Sequence, residues 1–118
     1  KRLSGCGAGY EYLAVNPQGA PFPCHQFVGQ EEYVLGTVWE GIRNQELPTM
    51  FKDAHVLNNP HCKTCWAKYY CSGGCPRNNM EQAGSLQGVD EIACLMEKKL
   101  PECSFYIQAC SAEAEAAS

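Results

Sequence analysis

The chain has 118 residues, enough for one domain with a modest hydrophobic core, and nothing in the sequence indicates a second domain. Its formal net charge of −4 argues against broad electrostatic binding of nucleic acid. No stretch approaches the apolar length of a membrane span, and the first ten residues lack the apolar core of a signal peptide. The sequence therefore predicts a cytoplasmic domain without nucleic-acid or membrane partners. We expect it to be part of a longer chain, because it opens directly on a cysteine-bearing loop.

The segment "YEYLAVNPQGAPFPC", which begins at Tyr10, predicts a β-hairpin. Aromatic and β-branched residues favour its first strand. The turn signal is "NPQG", in which Pro17 and Gly19 have the backbone preferences that a tight turn requires. The two prolines of "APFPC" remove hydrogen-bond donors, so the second strand is predicted at a sheet edge. The hairpin would hold Cys6 near one end and Cys24 near the other.

Three later segments predict helices. "YVLGTVWEGI" predicts a short strand that runs into a helix, with Thr37 as a possible N-cap. Residues 46–57 predict a short helix, and residues 88–110 predict a longer one that Pro101 kinks or restarts. The acidic end, "SAEAEAAS", is typical of a frayed helix end or tail. The expected apolar faces are Met50, Phe51, Ala54 and Leu57 in the short helix, and Ile92, Leu95, Met96 and Leu100 in the longer one.

The nine cysteines have three possible explanations. A disulfide framework suits small secreted chains, but the cysteine count is odd and no secretory signal is visible. A zinc site takes four ligands, and an iron–sulfur cluster also takes four cysteines. Nine thiols would fill two such clusters, or nearly so.

Four cysteines lie close together in "CKTCWAKYYCSGGCPRN", with the spacing C-x2-C-x5-C-x3-C over residues 62–75, here called the cysteine-rich segment. It is predicted to be mostly loop and short turns, with Gly73 and Gly74 bending the backbone. Cys62 and Cys65 form a ligand pair, because a two-residue gap lets both thiolates approach one metal centre. If all four cysteines shared one centre, three others would have no partner, whereas two centres would use all of them. Those three are Cys6, Cys24 and Cys94.

The pattern resembles the SPASM domain, the C-terminal auxiliary domain of many radical S-adenosylmethionine enzymes that modify peptides. The resemblance covers residues 6–94, and residues 95–118 would form a C-terminal helix and tail. Within the family, "CGAGYEYLAVNPQG" and "CWAKYYCSGGC" are most similar to maturases that form thioether crosslinks in cysteine-rich ribosomal peptides. The matching positions are Cys6, Gly19, Cys24, Cys62, Cys65, Cys71, Cys75 and Cys94.

The resemblance implies a small α+β fold: a hairpin, irregular metal-binding loops and a C-terminal helical segment, stapled by two auxiliary 4Fe–4S clusters. Auxiliary cluster I would be held by three cysteines and auxiliary cluster II by four. The first loop, "GAGYEYL", has no thiol where some family members carry a further cysteine, so one iron of cluster I is unassigned. The implied ligands are Cys6, Cys24 and Cys75 for cluster I, and Cys62, Cys65, Cys71 and Cys94 for cluster II.

The catalytic part of such an enzyme is missing from this sequence. Radical chemistry of this class needs three cysteines with the spacing C-x3-C-x2-C. The most similar spacing here is that of Cys71 and Cys75, but Asn78 stands where the third cysteine would be. The alternating strand–helix stretch of the radical S-adenosylmethionine barrel is also absent. The chain is therefore expected to be inactive by itself and not to bind S-adenosylmethionine, which would bind only to the full-length enzyme.

The resemblance implies an accessory role in binding substrate and transferring electrons while a parent enzyme forms thioether crosslinks. The implied partners are the barrel domain of the parent chain and a cysteine-containing precursor peptide. Two alternatives remain open: a freestanding ferredoxin-like electron-transfer protein, which would cycle without a partner, and a zinc-stabilised interaction module, which would be colourless.

Several other side chains have both a structural and a functional interpretation. Cys103 and Cys110 share a helical face and are predicted to be buried apolar residues rather than ligands. His25 is either a ligand that completes cluster I or an ordinary solvated or core histidine. Aromatic residues in the cysteine-rich segment would shield a cluster from water or bind substrate, and nearby cations would offset its charge. These residues are Trp66, Tyr69 and Tyr70, and Lys63, Lys68 and Arg77.

Overall fold

The structure, a computed structural model, describes residues 3–118, so Lys1 and Arg2 of the predicted N-terminal loop lie outside the description. It is a small α+β fold, as the sequence predicts, in which two short antiparallel hairpins precede a series of helices. The strands are β1 (Ala14–Val15), β2 (Pro21–Phe22), β3 (Gly36–Thr37) and β4 (Gly41–Ile42). The helices are α1 (Glu46–Asp53), α2 (Pro60–Lys63), α3 (Lys68–Cys71), α4 (Pro76–Ala83) and α5 (Glu91–Ala117), with 3-10 turns at His25–Phe27 and Glu31–Tyr33.

The first hairpin confirms the predicted turn. Val15 pairs with Pro21, and the Asn16 side-chain oxygen accepts a hydrogen bond of 2.8 Å from the Ala20 amide across the turn. Gly19 has a φ of 81°, a left-handed conformation that favours glycine. The ring of Trp39 lies directly against Gly19, where a Cβ atom would collide with it. The first hairpin is thereby fixed against the next one.

Residues 36–42 form a second hairpin, so the predicted helix there is wrong. Gly36 pairs with Ile42 and Thr37 with Gly41. The Thr37 hydroxyl accepts a hydrogen bond from the Glu40 amide within the turn, instead of capping a helix. The backbone conformations of Gly36 (φ 156°) and Gly41 (φ 79°) suit this turn, and glycine is a poor helix former.

Gly36→Ala is expected to destabilise the protein more than Gly29→Ala. Both glycines have positive φ, so alanine is strained at either position by roughly 1–3 kcal/mol. A Cβ at Gly36 would also overlap the carbonyl oxygen of Gly41, whereas the space beside Gly29 is open. Chemical denaturation of the two variants should therefore give the lower free energy of unfolding for Gly36→Ala, and equal values would contradict the close pairing of β3 with β4.

The hydrophobic core is built around an aromatic cluster of Phe27, Tyr33 and Phe51. The centroid of the fully buried Phe27 ring lies 4.4 Å from that of Tyr33 and 5.3 Å from that of Phe51. Phe51 comes from α1, which ends at Asp53, before the predicted limit of residue 57. The buried residues of α1 are Leu47 and Phe51, while Met50, expected on the apolar face, is half exposed.

Helix α5 begins at Glu91 and is capped by the preceding Asp90, whose carboxylate accepts a hydrogen bond of 3.2 Å from the Ala93 amide. The helix continues through Pro101 without restarting, and Pro101 is its buried residue. The apolar face predicted for this helix is exposed. Cys103 and Cys110 are also exposed, so the prediction that they are buried is wrong. The side that packs on the rest of the domain includes Phe105, which makes an edge-to-face contact with Tyr70 of α3 at 5.5 Å. None of the helices within residues 3–118 is both long and apolar enough to span a membrane.

Candidate metal centre

The cysteine-rich segment contains two short helices, where the sequence predicts mostly loop and turns. Asn59 caps α2 by accepting a hydrogen bond of 3.0 Å from the His61 amide, and its side-chain amide donates to the Gly88 carbonyl oxygen. The backbone then turns so that the Cys65 amide donates to the Cys62 carbonyl oxygen at 3.0 Å. This tight turn places both cysteines on one wall of a cavity.

A sharp bend follows Cys71, as the glycines predict. Ser72, Gly73 and Gly74 have φ values of 60°, 95° and 76°, three consecutive left-handed conformations. The bend is fixed by Asn79, whose side-chain amide donates a hydrogen bond of 3.0 Å to the Gly73 carbonyl oxygen. It also directs the backbone amides of Gly73 and Gly74 at the Cys71 sulfur. Burial raises the pKa of this thiol, and the two hydrogen bonds offset part of that rise.

Four of the cysteines line one cavity, which we name the knot cavity. Its volume is about 320 Å³. Two basic side chains, Lys68 and Lys98, also line it. Cys94, the cysteine most distant in sequence from the other three, comes from α5. The cavity is therefore complete only when α5 packs on α3. The four cysteines are Cys62, Cys65, Cys71 and Cys94, the set that the resemblance implies for one cluster.

Burial raises the pKa of the Cys62 thiol, and the neighbouring thiolates of Cys71, Cys94 and Cys65 raise it further, while Lys98 opposes them. Burial is also the main cause of the raised pKa of Cys71, and the Glu97 carboxylate adds to it. The thiolate forms of Cys62 and Cys71 are therefore disfavoured until a cation compensates their charge. A metal centre that needs thiolate ligands would release protons as it binds.

A second cavity, of about 400 Å³, lies beside the first hairpin, and we name it the hairpin cavity. It is lined by Cys6 from the N-terminal loop, Cys24 from the end of the hairpin and Cys75 from the start of α4. Cys71 lines both cavities. The side-chain amide of Gln26 lies 3.9 Å from the Cys75 sulfur and can donate to it. The three cysteines implied for the other cluster are thus brought together from distant parts of the chain.

Other polar side chains also line the hairpin cavity. His25 does so, but its ring is exposed and its Nδ1 atom lies 3.4 Å from the Tyr12 hydroxyl. Arg77 contributes a positive charge, and its guanidinium lies 5.7 Å from the centre of the Phe27 ring. Glu97, from α5, is the carboxylate in the lining of this cavity. Sequence reasoning missed Glu97, although its position three residues after Cys94 puts it on the same side of a helix.

The remaining side chains singled out by the sequence lie elsewhere. Cys103 and Cys110 line neither cavity. Neither do the three aromatic residues Trp66, Tyr69 and Tyr70, so they do not shield the cavity walls directly. Lys63 lines neither cavity.

The cysteines of the two cavities do not form a ready-made site for a single metal ion. Within residues 3–118, no group of three or more His, Cys, Asp or Glu side chains converges where one metal ion could be held. Thiolates on one zinc ion lie about 4 Å apart, given a Zn–S bond of about 2.3 Å. A four-iron cluster is bound through a different iron atom by each thiolate, so its ligands line a cavity rather than meet at a point. Four cysteines around the knot cavity are the donor set that such a cluster takes.

Comparison with protein-family models finds no match to this chain, and no curated protein is significantly similar to it.

Proposed function

We propose that this chain is a SPASM-like accessory domain that holds two auxiliary 4Fe–4S clusters for a radical S-adenosylmethionine peptide maturase. The observation that supports this most is the division of seven cysteines between two cavities: three line only the knot cavity, three line only the hairpin cavity, and Cys71 lines both. The exposed Cys103 and Cys110 belong to neither set. The division follows the ligand sets that the resemblance implies.

In the knot cavity, Cys62, Cys65, Cys71 and Cys94 would close one cluster completely. Lys68 and Lys98 place positive charge beside it, and the amides of Gly73 and Gly74 donate to the Cys71 sulfur. Positive charge and hydrogen bonds to sulfur both stabilise the reduced, more negative state of a cluster. When bound, such clusters would supply one-electron transfer, which the formation of a thioether requires because it oxidises the substrate.

In the hairpin cavity, Cys6, Cys24 and Cys75 would leave one iron of the other cluster without a thiolate from the protein. Iron in these clusters prefers thiolate ligands, so a cysteine of the precursor peptide is a suitable ligand for that position. The cavity would then orient the peptide for crosslinking by the barrel domain of the parent enzyme, which binds S-adenosylmethionine. None of the nine cysteines is in a disulfide, and we expect the domain to work in the reducing cytoplasm.

Iron analysis tests this proposal directly. Protein reconstituted without oxygen should be brown and hold about eight irons and eight sulfides per chain, because each cavity takes a four-iron cluster. Zinc-loaded protein, prepared in parallel, is the control for nonspecific binding to thiols. A content of about four irons per chain, or stoichiometric zinc in protein isolated without reconstitution, would reject the two-cluster assignment.

A further inference from the structure

Glu97 is the side chain of α5 that reaches both groups of cysteines. It lines the hairpin cavity beside Cys6, Cys24 and Cys75. It also lines a small cleft of about 30 Å³ together with Cys71 and Cys94 of the knot cavity. Burial raises the pKa of the Cys71 thiol, and the charge of Glu97 raises it further. Glu97 therefore lies between the two proposed cluster sites.

The position of Glu97 is fixed by the packing of α5. Residues three and four apart share one side of a helix, so Glu97 lies on the same side as Cys94 and the buried Pro101. The contact between Phe105 and Tyr70 holds this side against α3. Glu97 is half-buried, and no hydrogen bond or ion pair of its carboxylate is found within residues 3–118. A carboxylate that lines a cavity with cysteines and has no polar partner has spare capacity to bind a cation.

The other potential ligands in the hairpin cavity are less suitable. His25 is exposed, and one of its ring nitrogens lies near the Tyr12 hydroxyl. Gln26 is directed at Cys75 as a hydrogen-bond donor, the role of its amide nitrogen. Arg77 is always cationic and cannot bind iron. Cys71 also lines the knot cavity, where it is one of the four cysteines proposed to hold the other cluster.

We propose that the Glu97 carboxylate is the protein's own ligand for the iron that Cys6, Cys24 and Cys75 leave open, and that an incoming thiolate displaces it. This inference rests on the proposed function. The exchange breaks an iron–oxygen bond and forms an iron–sulfur bond, with no change in oxidation state. The proton of the thiol passes to the released carboxylate and then to water. Thiolate should win the competition because it is the softer ligand. Until a thiol arrives, Glu97 would keep solvent from the open iron.

Glu97→Gln in the full chain tests the proposal. With both clusters reconstituted, the variant should still hold about eight irons, because seven cysteines remain in place. The electron paramagnetic resonance signal of one reduced cluster should change before any thiol is added. On titration with 2-mercaptoethanol, the half-saturating concentration should fall about tenfold, because the thiol no longer has to displace a carboxylate; a tenfold change corresponds to about 1.4 kcal/mol. Glu113→Gln, at the exposed end of the same helix, is the matched control and should behave as wild type.

Each other outcome has a distinct meaning. If wild-type protein does not hold two clusters, the proposed function fails. If both clusters assemble, but Glu97→Gln and Glu97→Ala have the wild-type signal and the wild-type thiol titration, the role of Glu97 is overturned. If His25→Ala instead produces the altered signal and the tighter thiol binding, the ligand is the histidine and Glu97 is again rejected.

Discussion

Cys94→Ala is expected to remove about four of the eight irons and leave the other cluster intact, because Cys94 lines only the knot cavity. Cys24→Ala should cause the complementary loss, since Cys24 lines only the hairpin cavity. The two variants should therefore lose different components of the electron paramagnetic resonance spectrum of reduced protein. Iron analysis on the same samples measures how much of each cluster remains.

Cys103→Ala is the matched control for Cys94→Ala, because both residues are in α5 but Cys103 is exposed and lines neither cavity. It should change the iron content little. The sharpest comparison is between Cys65→Ala and Cys75→Ala, whose residues are ten positions apart in sequence but line different cavities. If these two variants lost the same spectral component, one shared metal site would replace the two proposed here. Cys71 touches both cavities, so its substitution would not separate them.

Phe27→Ala is expected to lower the free energy of unfolding by about 3–5 kcal/mol, the usual cost of truncating a buried phenylalanine to alanine. Phe27 is fully buried, and its ring contacts both Tyr33 and Phe51. Domains of this kind are typically stable by only about 5–15 kcal/mol, so this loss would remove a large fraction of the total stability. Chemical denaturation under anaerobic conditions, followed by circular dichroism and by visible absorption, measures it.

The neighbouring Val28→Ala is the control, because Val28 is 41% exposed and should lose well under half as much stability. Phe27 also lines the hairpin cavity, so Phe27→Ala should weaken the retention of the cluster beside it before the cluster in the knot cavity. A stability loss of less than about 1 kcal/mol would contradict the central place of Phe27 in the core.

The sequence correctly predicted the turns and the helix whose backbone conformation is set by residues adjacent in the chain. "NPQG" forms the predicted turn because Gly19 can adopt positive φ, and Gly73 and Gly74 bend the chain after Cys71 for the same reason. The helical pattern after Gly88 correctly predicts a long helix. The helix predicted within residues 36–42 is absent. Gly36 and Gly41 permit a tight hairpin there, and helix or strand propensity alone does not predict that pairing.

The sequence by itself determined that the chain is a small α+β fold, and it identified Cys62 and Cys65 as a local pair, because a two-residue gap limits how far apart their thiols can lie. Only the tertiary structure decided which side of α5 faces the domain. The helix turns Cys94, Glu97 and Pro101 inward and leaves its more apolar side exposed, so apolar periodicity predicted the wrong face. Packing also brings Cys75 beside Cys6 and Cys24, in a cavity that Cys71 lines as well. These placements depend on contacts between residues far apart in the chain, which no local pattern contains.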